Sequence, residues 1–267
     1  MSETVAGSEH QSLHHMLSES PWNRSGVRRQ LVRDANAHFG HSSALVIDES
    51  AIAKKGDKSA GVARQLNGRL GKTDNSQVGV FAAVTRDRLA ALVDGELFVP
   101  EIWFDDPVRC RDAGMPEGLE FRTKGEMALD MIYRLRREGL RFAYTAFDAG
   151  YGHLPWLLRA LDDGQEIFLA EVHSDQTICL SDPAPAVPQR QSARGKAPSR
   201  LQAQVALLTV TAWAAAQPPS RWRRLAVREG GCRCRLPDQS GVVVGWQTIR
   251  FGAGRRGITI WPWLWWR

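Results

Sequence analysis

Apolar and polar positions alternate along the first 180 residues in a way that separates strands from helices, and beyond them the pattern fades. Two apolar runs close on an aspartate: Ser-Ala-Leu-Val-Ile-Asp at 43–48 and Phe-Ala-Tyr-Thr-Ala-Phe-Asp at 142–148. Both are rich in β-branched or aromatic residues and both give way at once to polar, glycine-bearing sequence, so each predicts a buried strand ending at its aspartate. Residues 77–85 predict another strand, 86–88 a tight connection, and 89–99 its hairpin partner. Residues 10–38 place Leu13, Met16, Leu17, Trp22, Val27, Leu31, Val32 and Ala35 at near-helical spacing, broken by Ser20-Pro21. Two short helices follow from this, the second starting near Pro21 with Ser20 as its cap.

The clearest amphipathic helix is 124–138. Met127, Leu129, Met131, Ile132 and Leu135 form its apolar side, Arg134, Arg136, Arg137 and Glu138 point toward solvent, and Gly139 stops it. A helix at about 153–163 and a strand at 166–172 come after the second aspartate. Residues 53–76, with Lys54, Lys55, Lys58, Arg64, Arg69 and Lys72 among glycines and asparagines, read as a polar loop region.

The order is thus strand, hairpin, helix, strand, helix, strand. It predicts an α/β protein with a mixed sheet, antiparallel at one side and parallel at the other, and helices on its faces. Ligands of such sheets gather beyond the carboxyl ends of the parallel strands, where Asp48 and Asp148 would stand. Residues 181–200 resemble a solvated linker; a short helix at 201–216 and a strand at 222–228 follow. From Gly230 neither period survives, and four of the ten tryptophans fall in the last seven residues. The expected organisation is an N-terminal helical segment (1–40), a sheet domain (41–229) and a tail (230–267). With no regular apolar face to offset its ordering entropy, the tail is expected to pack poorly.

Charge changes this picture more than composition does. Hydrophobic (43%) and charged (24%) contents are ordinary. Four cysteines build no disulfide framework and fit a reducing, cytoplasmic setting. Cys232-Arg233-Cys234 has no second ligand pair for zinc. No secretory signal and no apolar run long enough for a membrane span are seen. The net charge of +6 conceals an asymmetry: 21 Lys/Arg against 27 Asp/Glu through residue 183, then 14 against only Glu229 and Asp238. A basic end on an acidic body points to a polyanion partner, most commonly nucleic acid.

Two carboxylates at one sheet edge suit a hard divalent cation. Phosphodiester cleavage needs an activated water and a stabilised leaving oxygen, and two Mg²⁺ ions about 3.5–4 Å apart supply both, normally on at least three carboxylates. Asp48 on the central strand is the natural bridge and Asp148 the second ligand. On motif statistics alone, two aspartates at strand ends among 29 acids are more often capping or salt-bridged side chains.

Seven blocks around them narrow the choice: Leu-Val-Ile-Asp-Glu-Ser (45–50), Lys-Lys-Gly (54–56), Gly-Val-Ala-Arg-Gln (61–65), Gly-Lys-Thr-Asp-Asn-Ser-Gln-Val (71–78), Phe-Val-Pro-Glu-Ile-Trp (98–103), Phe-Arg-Thr-Lys (121–124) and Asp-Ala-Gly-Tyr-Gly (148–152). In this order, over about residues 10–229, the chain resembles the DDE-superfamily endonuclease domain of bacterial insertion-sequence transposases. The resemblance implies a ribonuclease-H-like fold and metal-dependent cleavage and strand transfer. It also implies a two-metal site for Mg²⁺ or Mn²⁺, and double-stranded DNA at transposon ends as partner. Asp48 and Asp148 become the first two catalytic acids, and Lys54, Lys55, Arg64 and Lys72 become phosphate contacts rather than a solvated loop.

The family's third acid is a glutamate on a helix well beyond the strand equivalent to 222–228. Here the pattern is lost near Gly230, and Glu229 is the last glutamate. The expectation is therefore a copy truncated or frameshifted after about residue 229, with an incomplete fold and no strand-transfer activity. The alternatives are a DNA-binding or partner-binding fragment that modulates full-length transposase, pairing with it or with itself, and a nuclease recruiting Glu49, Glu171 or Asp175 as its third acid. His153 is expected at an exposed helix start, and Tyr151 and Trp103 in the core.

Overall fold

The computed structural model describes residues 10–218 except 22, 174 and 190–198, and beyond them only the backbone of short strand segments between 227 and 262. Helix α1 (His10–Glu19) precedes α2 (Arg24–His38). The second helix starts three residues later than Pro21 suggests. Asn23, not Ser20, caps it, its Oδ1 accepting the Gly26 N–H at 2.9 Å.

Strand β1 (Ala44–Ala53) sets the architecture by its alternation. Leu45 and Ile47 are fully buried, whereas Asp48 and Ser50 are exposed, so one face of the sheet is dry and the other is not. Residues 53–76, expected as irregular, instead contain β2 (Ala63–Asn67) and the start of the fifteen-residue β3 (Lys72–Arg86). β1 and β3 pair antiparallel from Ala44↔Thr85 to Ala53↔Ser76. β4 (Leu89–Phe98) returns along the outer side of β3 through a turn in which Asp87 takes φ 57°. β2 pairs with the other end of that same side.

A 3₁₀ turn (Glu101–Trp103) and α3 (Pro107–Asp112) lead to α4 (Lys124–Arg137). A reciprocal cap opens α4: the Glu126 N–H donates to Thr123 Oγ1 and the Thr123 N–H to Glu126 Oε2. Gly139 closes it at φ 86°. β5 (Tyr144–Phe147) then pairs parallel with β1, and β6 (Phe168–Val172) parallel with β5. The spatial order is β6-β5-β1-β3 with β2 and β4 outside β3. This is the mixed sheet with flanking helices anticipated for a ribonuclease-H-like fold.

The helix expected at 153–163 is two: α5 (Ala149–Gly152) and α6 (Pro155–Asp163), restarted at Pro155. α2, α4 and α6 all cover the dry face. Val32, Met131, Ile132, Leu135, Leu157 and Leu161 meet Leu45, Ile47, Val80, Ala82 and Phe147 in one cluster. Truncating one of these, Leu135→Ala for example, should cost about 2–5 kcal/mol. A smaller cluster of Val172, Ile178, Val210 and Trp213 joins β6 to β7 (Thr177–Cys179), β8 (Leu208–Thr209) and α7 (Val210–Ala215). α7 replaces the longer helix expected at 201–216.

Beyond 218, Val242–Val243 lies antiparallel to the outer edge of β6 and Trp261–Pro262 to β7. Residues 222–226, the side chains of 227–229 and those of the expected loose tail (230–267) lie outside the described residues, as does the packing of Cys232-Arg233-Cys234. Among the described residues no helix is long and apolar enough to cross a membrane.

Candidate active site

β1 and β5 run parallel with a register offset of one hundred, Ala44↔Tyr144 through Ile47↔Phe147. One further step along both chains leads to Asp48 and Asp148, close enough that the charge of Asp148 is felt at Asp48. Both side chains are exposed on the face away from α4. Asp148 has already left its strand: it caps α5, its Oδ1 accepting the Gly150 N–H at 3.0 Å. Asp48 does not end its strand as the apolar run suggests. It is the fifth of ten residues, because the long partner β3 carries the pairing on to Ala53.

α5 is clamped at its last residue. A Cβ on Gly152 would lie 1.8 Å from the Glu171 carbonyl oxygen, so only glycine lets this turn press against β6. The Asp-Ala-Gly-Tyr-Gly block thus fixes where Asp148 is held. Phe147 and Tyr151 stack obliquely beneath it, 6.0 Å between centroids.

The electrostatics of the pair are unusual for a protein surface. Asp48 Oδ1 accepts the Glu49 N–H at 2.7 Å. Partial burial nonetheless pushes its carboxyl above the ordinary range, aided by the charges of Asp148 and Glu49. Among the described residues neither aspartate forms a salt bridge. Glu49 turns to the dry side, where Lys124 Nζ meets its Oε2 at 2.5 Å. The Tyr151 hydroxyl is buried without a hydrogen-bond partner among the described residues, and burial with the surrounding carboxylates pushes its ionisation up.

Tyr151 and Trp103 are core residues, as expected; the Trp103 Nε1–H donates to the Val62 carbonyl at 2.9 Å. His153 is half-buried at the end of α5, its Nδ1 2.9 Å from the Ala149 oxygen and its ring 6.2 Å from that of His173. Among the described residues no group of three His, Cys, Asp or Glu gathers to hold a metal, so Glu49, Glu171 and Asp175 do not complete the pair.

The polar stretch after β1 is ordered by its amides. The Asn75 side chain donates to Lys54 and Gly56 carbonyls, Gln65 to Gly61 and Ser76, Gln77 to Ala60, and Asn67 to Ser76 Oγ. Arg109 lies over the Trp103 ring and donates to Asp57 and Val62 carbonyls. Apolar alternation does not reveal this wiring. The spacing of Gln65, Asn67, Asn75 and Gln77 by twos is the sequence signal for it. Of the four expected phosphate contacts, Lys54, Lys55 and Arg64 form no salt bridge among the described residues, while Lys72 Nζ holds Asp74 at 3.0 Å and lowers its carboxyl.

A family model for the DDE superfamily endonuclease matches residues 1–233. The chain belongs to that superfamily. It is also 34% identical over 148 residues to the probable transposase for insertion sequence element IS701 of Microchaete diplosiphon. That match takes in 53% of this chain and 35% of the relative, so the aligned part spans about a third of the relative's length. DDE endonucleases are metal-dependent, and the donor set here fits one side of a hard cation's oxygen shell: two neighbouring carboxylates with no counter-charge among the described residues. A full set would need at least one more acid.

Proposed function

We propose that this chain is catalytic-domain sequence of an insertion-sequence transposase, acting on duplex DNA at element ends in the cytoplasm. The observation that supports the reading is the register of β1 on β5, which leads one step on to two aspartates that have no ion pair among the described residues. Asp48 and Asp148 would hold Mg²⁺ or Mn²⁺. When bound, the metal would activate water and stabilise the leaving oxygen. The protein's own part is placement: pairing with β3 fixes Asp48, and the Gly152 contact fixes Asp148. Lys54, Lys55, Arg64 and Lys72 would contact phosphates as the duplex leaves this face, once Lys72 exchanges Asp74 for one.

A second reading is favoured by the absence of a third acid beside the pair among the described residues. The chain then binds DNA, or pairs with another transposase copy, without joining strands itself. Strand-transfer and nicking assays with Mg²⁺ or Mn²⁺ separate the two. The expected outcome is salt-sensitive DNA binding without strand transfer, since catalysis depends on fixed metal coordination. Metal-dependent cleavage that disappears in Asp48→Ala would refute the inactive reading and mean that the third acid is within these residues.

A further inference from the structure

β2 and the first residues of β3 form a two-stranded arm beyond the point where β1 ends at Ala53↔Ser76. Its turn is tight: the Leu70 N–H donates to the Asn67 carbonyl at 3.0 Å and Gly71 takes φ 64°. The amides of Gln65, Asn67 and Asn75 lock its base. A rigid arm of this kind would be expected to show water only polar side chains, yet Leu66 is 63% and Leu70 48% exposed.

The arm and the loop that leads into it from β1 are also where cations concentrate. Residues 53–76 hold six Lys/Arg against two Asp/Glu, whereas the other residues through 183 hold 15 against 25. Lys54, Lys55, Lys58, Arg64 and Arg69 form no salt bridge among the described residues. A positive, apolar-tipped projection on an otherwise negative body matches a polyanion with apolar groups inside its grooves, which is duplex DNA.

Register ties the arm to the carboxylates. Asp48, Ser50 and Ile52 alternate onto one face of β1. Through Ile52↔Gln77, Arg64↔Asn75 and Leu66↔Thr73 the same face continues onto Arg64 and Leu66. From Phe81, opposite Asp48, to Thr73, opposite Leu66, is eight residues, about 26 Å along the strand. A duplex lying on this face would present roughly its eighth base pair to the arm. The major groove, about 12 Å wide, admits a two-stranded ribbon as it stands; the minor groove, about 6 Å wide, takes one only when the duplex is widened or bent.

We propose that the β2–β3 arm enters the major groove of the duplex whose end lies at Asp48 and Asp148. Leu66 and Leu70 rest on thymine C5-methyl groups, and Arg64 and Arg69 hold the flanking phosphates. This rests on the DNA-processing reading above and adds an apolar, methyl-sensing contact to it.

The test uses the full chain, an A·T-rich duplex and its counterpart carrying uracil for thymine, with binding followed by fluorescence anisotropy from 50 to 200 mM KCl. The wild type should bind the uracil duplex several-fold more weakly. Leu66→Ala/Leu70→Ala should bind the thymine duplex about tenfold more weakly, with an unchanged salt slope and no preference for thymine. Arg64→Ala/Arg69→Ala should keep the preference and lose about two from the salt slope. Leu66→Thr, which keeps a good strand former, must reproduce the leucine effect if packing on methyls is its cause. Leucine variants that bind like the wild type would overturn the arm contact and leave the DNA reading standing. Failure of the wild type to bind any duplex would overturn both. Self-association abolished by the leucine variants, with DNA affinity untouched, would overturn the proposal in favour of a second copy as occupant.

Discussion

The sheet carries two pairs of carboxylates, and they differ in what meets their charge. Asp94 and Glu96 on β4 have side chains only 4% and 9% exposed and are surrounded by guanidinium groups. Arg134 reaches both at 2.7 and 2.8 Å, while Arg122 and Arg24 hold Glu96 at 2.6 and 2.9 Å. Arg28 bridges from α2 to Glu138 at the end of α4. Asp48 and Asp148 lie exposed on the other face with no ion pair among the described residues. The first pair is part of how α2 and α4 are fastened to the sheet. The second pair leaves negative charge for something from solution to meet. Number and proximity of acids do not separate structural from functional carboxylates here; the source of their counter-charge does.

The largest break in this comparison should come from Arg134→Ala. It strands Asp94 and part of the charge of Glu96 in a nearly dry site, so a loss of about 3 kcal/mol is expected in urea denaturation. Asp148→Asn, on the exposed side, should change stability by no more than about 0.5 kcal/mol. If Arg134→Ala is as mild as Asp148→Asn, the guanidinium cluster is not what fastens the helices.

Glu96→Gln should come next, at about 2 kcal/mol near neutral pH. Burial alone would raise this carboxyl, but the Arg122 hydrogen bond and the charges of Arg134, Arg122 and Arg24 outweigh it and hold it low. A lowered acid contributes stability above its unfolded value and loses it as pH falls through the folded one. The gap between wild type and Glu96→Gln should therefore narrow on acidification below the ordinary carboxylate range. A gap that is constant with pH would show that shape, not charge, makes the contribution.

Divalent metal sharpens the comparison from the other side. Mg²⁺ at ten times its dissociation constant should stabilise the wild type by about 1.4 kcal/mol, roughly 3–5 °C in melting temperature. Asp48→Asn and Asp148→Asn should show no such shift, and Arg122→Ala should retain it. Equal shifts in all four proteins would mean that the metal is held elsewhere.

Periodicity along the chain carries much of the fold. The two aspartate runs, the 77–99 hairpin and the helix over 124–138 follow from it, and with them the mixed sheet and the neighbouring aspartates. Three features escape it. Arg134, Arg136 and Glu138 read as solvent-facing on a helical wheel, yet they bind Asp94, Glu166 and Arg28. A wheel sees one helix and cannot see partners 30 to 110 residues away. The β2–β3 arm escapes because amide wiring, not apolar alternation, orders it. The extension of β1 past Asp48 escapes because Glu49, Ser50 and Ala51 look like a polar ending, although β3 continues to pair with them.

The smallest expected effect separates the two pairs by sign. Partial burial raises the Asp48 carboxyl, and Asp148 and Glu49 add to it. A raised acid favours the fold below its unfolded value, and that favour is lost as pH rises through the folded value, the reverse of Glu96. Without metal, Asp48→Asn should therefore melt slightly higher than the wild type near neutral pH, and the difference should vanish on acidification. Asp48 is exposed, so water screens the repulsion and the gain should be only about 1–2 °C. Scanning calorimetry at several pH values in chelator reads it directly. An Asp48→Asn protein that melts lower than the wild type at neutral pH would mean that this carboxylate is already satisfied within the chain, and the case for a cation from solution would fall with it.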